Sequence, residues 1–187
     1  MIKIAITGNI ASGKSQVEKI LKKLGYKVYD SDEIAHSILD TITDFYGLDV
    51  FTDGKIDRKK LGNLVFSNPQ IKQNLEKLLH PKVKNKILEI FAKHSEDNCI
   101  FISVPLLYET GFDNLFDKVI LITVDEQEQL KRLMTRNNLS KEEAKKRINS
   151  QIKQSEKVQK ADFVIHNVST FIDLEAKTIS VLKEIFK

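Results

Sequence analysis

The segment Gly8-Asn9-Ile10-Ala11-Ser12-Gly13-Lys14-Ser15 carries the most specific chemistry in the sequence. A glycine, four residues, then Gly-Lys-Ser wraps the backbone so that successive N–H groups point inward at an anion. Gly8 and Gly13 permit the turn and the close approach. A helix beginning at Lys14 adds the partial positive charge of its N-terminus. Lys14 places a point charge on the outer phosphates, and the Ser15 hydroxyl is a hard oxygen ligand for Mg2+. The pattern implies a bound nucleoside triphosphate with Mg2+. The bland alternative is a glycine-bearing turn with an incidental lysine. The apolar run before the loop and the helical run after it argue against that.

Two carboxylates, Asp30 and Asp32, follow the second apolar run. Open parallel sheets gather their ligands at the carboxyl ends of the strands. Either acid there can accept a hydroxyl proton or hold Mg2+-bound water. Either can instead cap the helix that starts near Ser31. Arginines supply a third element. Arg132 and Arg136 lie four apart and share a helix face, and Arg147 and Gln151 repeat that spacing. A planar guanidinium grips phosphate oxygens in two places. Between these pairs, residues 137–140 read as a hinge, with Ser140 and Glu143 set for a capping box.

Other nucleotide chemistries fit less well. A guanine reader needs Asn-Lys-x-Asp, and the nearest segment, Asn85-Lys86-Ile87-Leu88, lacks the acid. A motor ATPase usually ends its third strand on a Mg2+-holding carboxylate, but Ile102-Ser103-Val104-Pro105 has none. A small kinase remains. It needs a carboxylate beside an acceptor hydroxyl and a mobile basic segment around the transferring phosphoryl.

The elements that position these groups alternate. Strands are expected at 2–7, 26–29, 99–104, 118–124 and 161–166, from short apolar, β-branched runs. Helices are expected at 14–24, 31–39, 58–66, 71–91, 125–136, 141–160 and 170–186. Pro81 should bend or break the fourth of these. From 40 to 57 the periodicity fails, and Asp53-Gly54 marks a turn. Alternation of this kind predicts an α/β fold with a parallel sheet and right-handed crossovers. The expected organisation is one domain. Its core is 1–39, 98–130 and 161–187, a helical insertion spans 40–97, and a lid spans 131–160.

Composition narrows the class. The 187 residues carry 41% hydrophobic and 30% charged residues, ordinary for a soluble globular domain. No run of 18 apolar residues predicts a membrane-spanning helix. The single cysteine, Cys99, rules out an internal disulfide, fits a reducing compartment and reads as an inert core thiol. A cytoplasmic location is expected. Net charge is only +4, yet residues 131–160 hold ten Lys/Arg against three acids, leaving the remainder slightly acidic. The basic charge therefore marks one segment facing an anionic ligand. Most of its lysines read as a solvated face.

Taken together, these parts make the sequence resemble the dephospho-CoA kinase family along nearly its whole length. The stations are Thr7–Ser15, Tyr29-Asp30-Ser31-Asp32 with Ile34-Ala35, Gly54-Lys55-Ile56-Asp57-Arg58 with Leu61 and Val65-Phe66, and Leu79-His80-Pro81. Then come Val104-Pro105-Leu106-Leu107-Tyr108-Glu109, Gln129-Leu130-Lys131-Arg132 with Arg136, Arg147-Ile148-Asn149-Ser150-Gln151, and Ala161–Asn167. The resemblance implies a three-layer P-loop kinase fold with a five-stranded parallel sheet, a helical substrate-binding insertion and a helical lid. It implies transfer of the ATP phosphoryl group to the ribose 3′-hydroxyl of dephospho-CoA, giving coenzyme A and ADP, with Mg2+.

By that resemblance Asp32 is the catalytic base, assisted by Lys14 and Arg136. Gly8, Ala11, Ser12, Gly13, Lys14, Ser15, Gln16, Arg132 and Arg147 would hold ATP. Asn167, with His166, is a candidate for reading its adenine. Arg58, His80, Pro81, Leu106, Tyr108 and Glu109, with Asp32, would face the acceptor. The sequence departs from the family at Asn9 and Ala11, where glycines are usual, and at Gln16, where threonine is usual. Ser31 replaces an alanine, and no Pro-Gly follows Leu39. The expected partners are ATP and dephospho-CoA, without nucleic acid or membrane, in a monomer or weak homo-oligomer. Two rival readings are another P-loop small-molecule kinase and a nucleotide-dependent RNA-binding module. Against the second, 131–160 has no Phe, Tyr or Trp for base stacking.

Overall fold

Short runs of isoleucine and valine, too brief for helices, pair side by side into one parallel sheet. The computed structural model describes residues 1–39, 50–52, 55–167 and 170–187. They form two compact units, one of residues 1–30 and 94–187, the other of residues 31–93.

The first unit holds β1 (Ile2–Thr7), α1 (Lys14–Lys23), β2 (Val28–Asp30), β5 (Cys99–Ser103), β6 (Lys118–Thr123), α5 (Glu126–Asn137), α6 (Lys141–Asn149), α7 (Gln154–Val158), β7 (Phe163–His166) and α8 (Phe171–Ile185). The second holds α2 (Ser31–Leu39), the hairpin β3 (Phe51–Thr52) and β4 (Lys55–Ile56), α3 (Arg58–Ser67) and α4 (Pro69–Lys93). The sheet order is β2-β5-β1-β6-β7, all parallel. The chain leaves central β1 toward one edge and later fills the other side. The switch point therefore lies at the carboxyl end of β1, where the glycine loop begins.

Ile4 and Ile6 of β1 are fully buried with Val17, Ile20 and Leu21 of α1 and Leu174 and Leu182 of α8. Each such side chain contributes about 1.5–3 kcal/mol on leaving water. Phe101 of β5 is fully buried and meets Tyr26 edge-on at 5.2 Å. This core fixes the strand ends that carry the chemistry. Ser103 ends β5 opposite both Ile6 of β1 and Asp30 of β2.

The structure departs from the expected elements in a few places. The single helix expected over 141–160 is two, α6 and α7, separated by residues 150–153. That gap forms because its residues bond elsewhere, as described below. Of the bend or break expected at Pro81, the break does not occur, because α4 runs through it from Pro69 to Lys93. Pro81 is exposed there, so the carbonyl one turn back that loses its N–H partner meets water instead. The short β3–β4 hairpin and a 3-10 turn at Phe112–Leu115 were not foreseen. Both are too short for a periodic signal. The turn expected at Asp53-Gly54, the aperiodic stretch 40–49 and the place of a missing Pro-Gly lie outside the described residues.

Candidate active site

The glycine loop is gripped from outside and open inside. Gly8 follows β1 at a point where a Cβ would sit 2.5 Å from Ser12 Oγ and 2.6 Å from the Ile122 carbonyl oxygen. Gly13 has φ +97°, and a Cβ there would run into Nδ2 of Asn167. Ala11 also adopts the left-handed region, with φ 62°. A methyl group in that conformation costs about 1–2 kcal/mol. Ala11 thus holds, without being glycine, a conformation that suits glycine.

Four side-chain bonds hold the outer side of the loop. Gln151 Oε1 accepts from the Ile10 N–H at 2.7 Å, and Gln129 Nε2 donates to the Ile10 carbonyl at 2.8 Å. Asn167 Nδ2 donates to the Ser12 carbonyl at 2.8 Å. Asn9 Nδ2 donates to the Ile152 carbonyl at 3.1 Å. The Ser12 N–H closes on the Asn9 carbonyl at 3.0 Å. The N–H groups of Ala11, Gly13, Lys14 and Ser15 have no partner among the described residues. Lys14 likewise makes no ion pair there. These unpaired donors, a lysine and a helix N-terminus together form an anion cradle.

Arg132 stands beside the cradle. Its Nη2 donates to the Asn167 carbonyl at 3.3 Å, its Nε pairs with Glu128 at 2.8 Å, and its Nη1 would lie 3.9 Å from a Cβ on Gly13. Arg136, one turn on, is exposed and bonds Asn137 at 2.9 Å. Arg147 is exposed on α6. The expected capping box of Ser140 and Glu143 starts that helix. The Ser140 hydroxyl holds the Glu143 carboxyl below its ordinary value. Asn138, at φ 50°, ends α5 and turns the chain toward α6.

Residues 150–153 leave the helix to serve the loop. Besides the bonds from Gln151 and Ile152, the Ile152 N–H donates to Glu109 Oε1 at 3.1 Å. Glu109 Oε1 also lies 2.7 Å from the Nζ of Lys157, which is fully buried. The pair is ionic by distance, but its angles fall short of a hydrogen bond. Lys157 is thus an exception to the solvated basic face. Gln154 bonds both the N–H and the carbonyl of Val124 at 3.1 Å, like an added strand residue. Glu109, expected at the acceptor, reaches the loop through Ile152. Tyr108 is half-buried, with Lys160 5.5 Å from its ring centre. Burial of its hydroxyl pushes the phenol up to about 12. Leu106 is exposed.

Gln16 is half-buried on α1, with its N–H on the Gly13 carbonyl at 2.9 Å. Asp30 ends β2, and Asp32 is exposed in the first turn of α2. His80 is half-buried in α4 just before Pro81. The side chain of Arg58 lies outside the described residues. So the structure gathers Gly8, Ala11 to Gln16, Arg132 and Asn167. Asp32, Arg58, His80 and Pro81 belong to the second unit.

Sequence reasoning missed the bracing roles of Asn9, Gln129 and Gln151. A further cluster lies around His94, whose Nε2 is 2.7 Å from the Tyr29 hydroxyl and whose Nδ1 is 2.7 Å from Asp97. Lys27 completes that cluster at 2.7 Å from Asp97. The spacing of His94 and Asp97, three apart, was the available signal.

Hard oxygen donors suited to Mg2+ are present. The exposed Ser15 opens α1, and the carboxylate of Glu18 follows one turn later. No group of three His, Cys, Asp or Glu forms a cation cage among the described residues.

A profile of the family described as dephospho-CoA kinase matches residues 2–173. The chain belongs to the dephospho-CoA kinase family. The dephospho-CoA kinase of Campylobacter jejuni (strain RM1221) is 40% identical over 192 residues, spanning 97% of this chain and 96% of its own. That of Fusobacterium nucleatum is 41% identical over 181 residues, 93% of each chain. The solved dephospho-CoA kinase from Campylobacter jejuni superposes with a TM-score of 0.76 at 39% identity, covering 98% of this chain and 96% of that one. A shikimate kinase from Bacteroides thetaiotaomicron, 14% identical with a TM-score of 0.64 over 100% of this chain and 99% of its own, shares the fold alone. This dephospho-CoA kinase family member is a phosphotransferase of coenzyme A biosynthesis, built on the α/β P-loop kinase fold. Among the described residues, no helix is long and apolar enough to cross a membrane.

Proposed function

We propose that this kinase moves the γ-phosphoryl group of ATP to the ribose 3′-hydroxyl of dephospho-CoA. The glycine loop carries the reading: the Ile10 and Ser12 backbone groups are tied to Gln129, Gln151 and Asn167, while the N–H groups of Ala11, Gly13, Lys14 and Ser15 and the Lys14 ammonium have no partner among the described residues. A cradle that is rigid before the anion arrives needs no rearrangement when charge spreads in the transition state.

Phosphoryl transfer of this type rests on positioning and charge neutralisation. Lys14, the loop N–H groups and Arg132 hold the β- and γ-phosphates. Asp32 orients the acceptor hydroxyl and takes its proton late. Ser15 would hold Mg2+, which when bound neutralises charge on the β- and γ-oxygens. Arg136 and Arg147, on the basic segment 131–160, close over the phosphates and exclude water. Arg58, His80, Pro81 and Leu106 contact the acceptor, with Tyr108 and Glu109 supporting that wall. Asn167 serves ATP binding through the loop it braces. The kinase works in the cytoplasm, as monomer or weak homo-oligomer, without nucleic acid or membrane.

The test is an acceptor panel with ATP and Mg2+. ADP release should depend on dephospho-CoA and stay at background with shikimate or AMP. Release driven equally by another small alcohol would favour a different small-molecule kinase.

A further inference from the structure

β5 ends without an acid. Its last residue is Ser103, fully buried, opposite Ile6 of the strand that leads into the glycine loop and opposite Asp30 of β2. P-loop ATPases and GTPases place at this strand end a carboxylate that helps hold the nucleotide's Mg2+. Here the carboxylate comes from another element. Glu18 of α1 accepts a hydrogen bond from the Ser103 hydroxyl at Oε1, 2.6 Å away.

Glu18 is an unusual residue for that place. It is only 9% exposed, on a helix whose other buried residues are Val17, Ile20 and Leu21. Among the described residues no lysine, arginine or histidine pairs with it. Glutamate is seldom buried this deeply without an opposite charge, because a single neutral hydrogen bond does not offset the loss of water. Ser15, the candidate metal hydroxyl, precedes Glu18 by three residues, so both side chains share one face of α1.

We infer that Glu18 is this kinase's Mg2+-holding acid, replacing the strand-end carboxylate that β5 lacks. Ser103 fixes one carboxylate oxygen, and the other faces the cation or a water in its shell. The inference rests on the reading that ATP binds the loop with Mg2+. A brace between α1 and β5 would need only the hydrogen bond from Ser103.

Glu18→Gln separates the two roles, since its amide oxygen still accepts from Ser103 while the charge is gone. The measurement is Mn2+ binding, followed by electron paramagnetic resonance, to the protein saturated with a non-hydrolysable ATP analogue. E18Q should weaken Mn2+ binding by about tenfold or more. Its melting temperature should not fall, and its affinity for the metal-free analogue should not weaken, because the lost charge was buried and faced the phosphates. E18D, which keeps the charge, should retain more Mn2+ affinity than E18Q. E18Q binding Mn2+ as the wild type does, or E18D and E18Q losing affinity equally, overturns the inference. Wild-type protein that binds no Mn2+ with the analogue overturns the Mg2+ reading itself.

Discussion

The side-chain amide of Asn167 reaches across 155 residues of sequence to the Ser12 carbonyl, donating from Nδ2 at 2.8 Å. The same amide fills the space that any side chain on Gly13 would need. Asn167→Ala removes a buried bond worth about 1–1.5 kcal/mol, which is roughly tenfold in affinity. The KM for ATP should rise by about that factor, with a smaller change in kcat. Gly13→Ala should abolish ATP binding. Adding Asn167→Ala to it should restore only part, because the backbone at φ +97° still disfavours a Cβ.

Ala11 makes the loop less stable than it need be. Its φ of 62° suits glycine. Ala11→Gly relieves about 1–2 kcal/mol of strain, against about 0.5–1 kcal/mol of added freedom in the unfolded chain. A rise in melting temperature of about 1–4 °C should follow, read by calorimetry. ATP affinity should hold, since the loop keeps its path.

The buried Lys157 and the part-buried Glu109 stand or fall together. Removing one leaves an uncompensated charge, at a cost of about 3–5 kcal/mol. Lys157→Met and Glu109→Gln should each lower stability strongly in urea unfolding. The double variant should lose much less than the sum. Because Glu109 also holds the Ile152 N–H, Glu109→Gln should also raise the KM for ATP.

Acid should loosen the edge cluster near β2. The hydrogen bond from Lys27, then that from His94, holds the Asp97 carboxyl below its ordinary value of 3.8, against the opposing effect of burial. A depressed carboxylate contributes stability above its unfolded value, lost as pH falls through the folded one. Wild type should therefore exceed Asp97→Asn in urea stability at about pH 6, and the gap should close below about pH 4. A constant gap across that range would contradict this assignment.

Local chemistry was legible in the sequence, and long-range chemistry was not. The glycine loop, the Ser140 cap and the sheet strands announce themselves within a few residues, because backbone conformation and period decide them. Gln129 looks like any surface amide until folding brings it to the loop, and Gln151 and Asn167, singled out for other contacts, show their bonds to Ile10 and Ser12 only in the fold. The gap at 150–153 exists because those backbone groups find better partners on Glu109 and Asn9 than in a helix, which no helical period reveals. Lys157 reads as solvated from composition, and only the placement of Glu109 explains its burial. Pro81 stays helical because its face is open to water.

The most direct test is to locate the new phosphate. The kinase is incubated with ATP, Mg2+ and dephospho-CoA, and the product is resolved by phosphorus NMR and mass spectrometry. The account predicts a monoester on the ribose 3′-oxygen, formed mole for mole with ADP and slowed about 10²–10⁴-fold by Asp32→Asn. Phosphate on another oxygen, ADP without coenzyme A, or a near-normal rate for Asp32→Asn would contradict it.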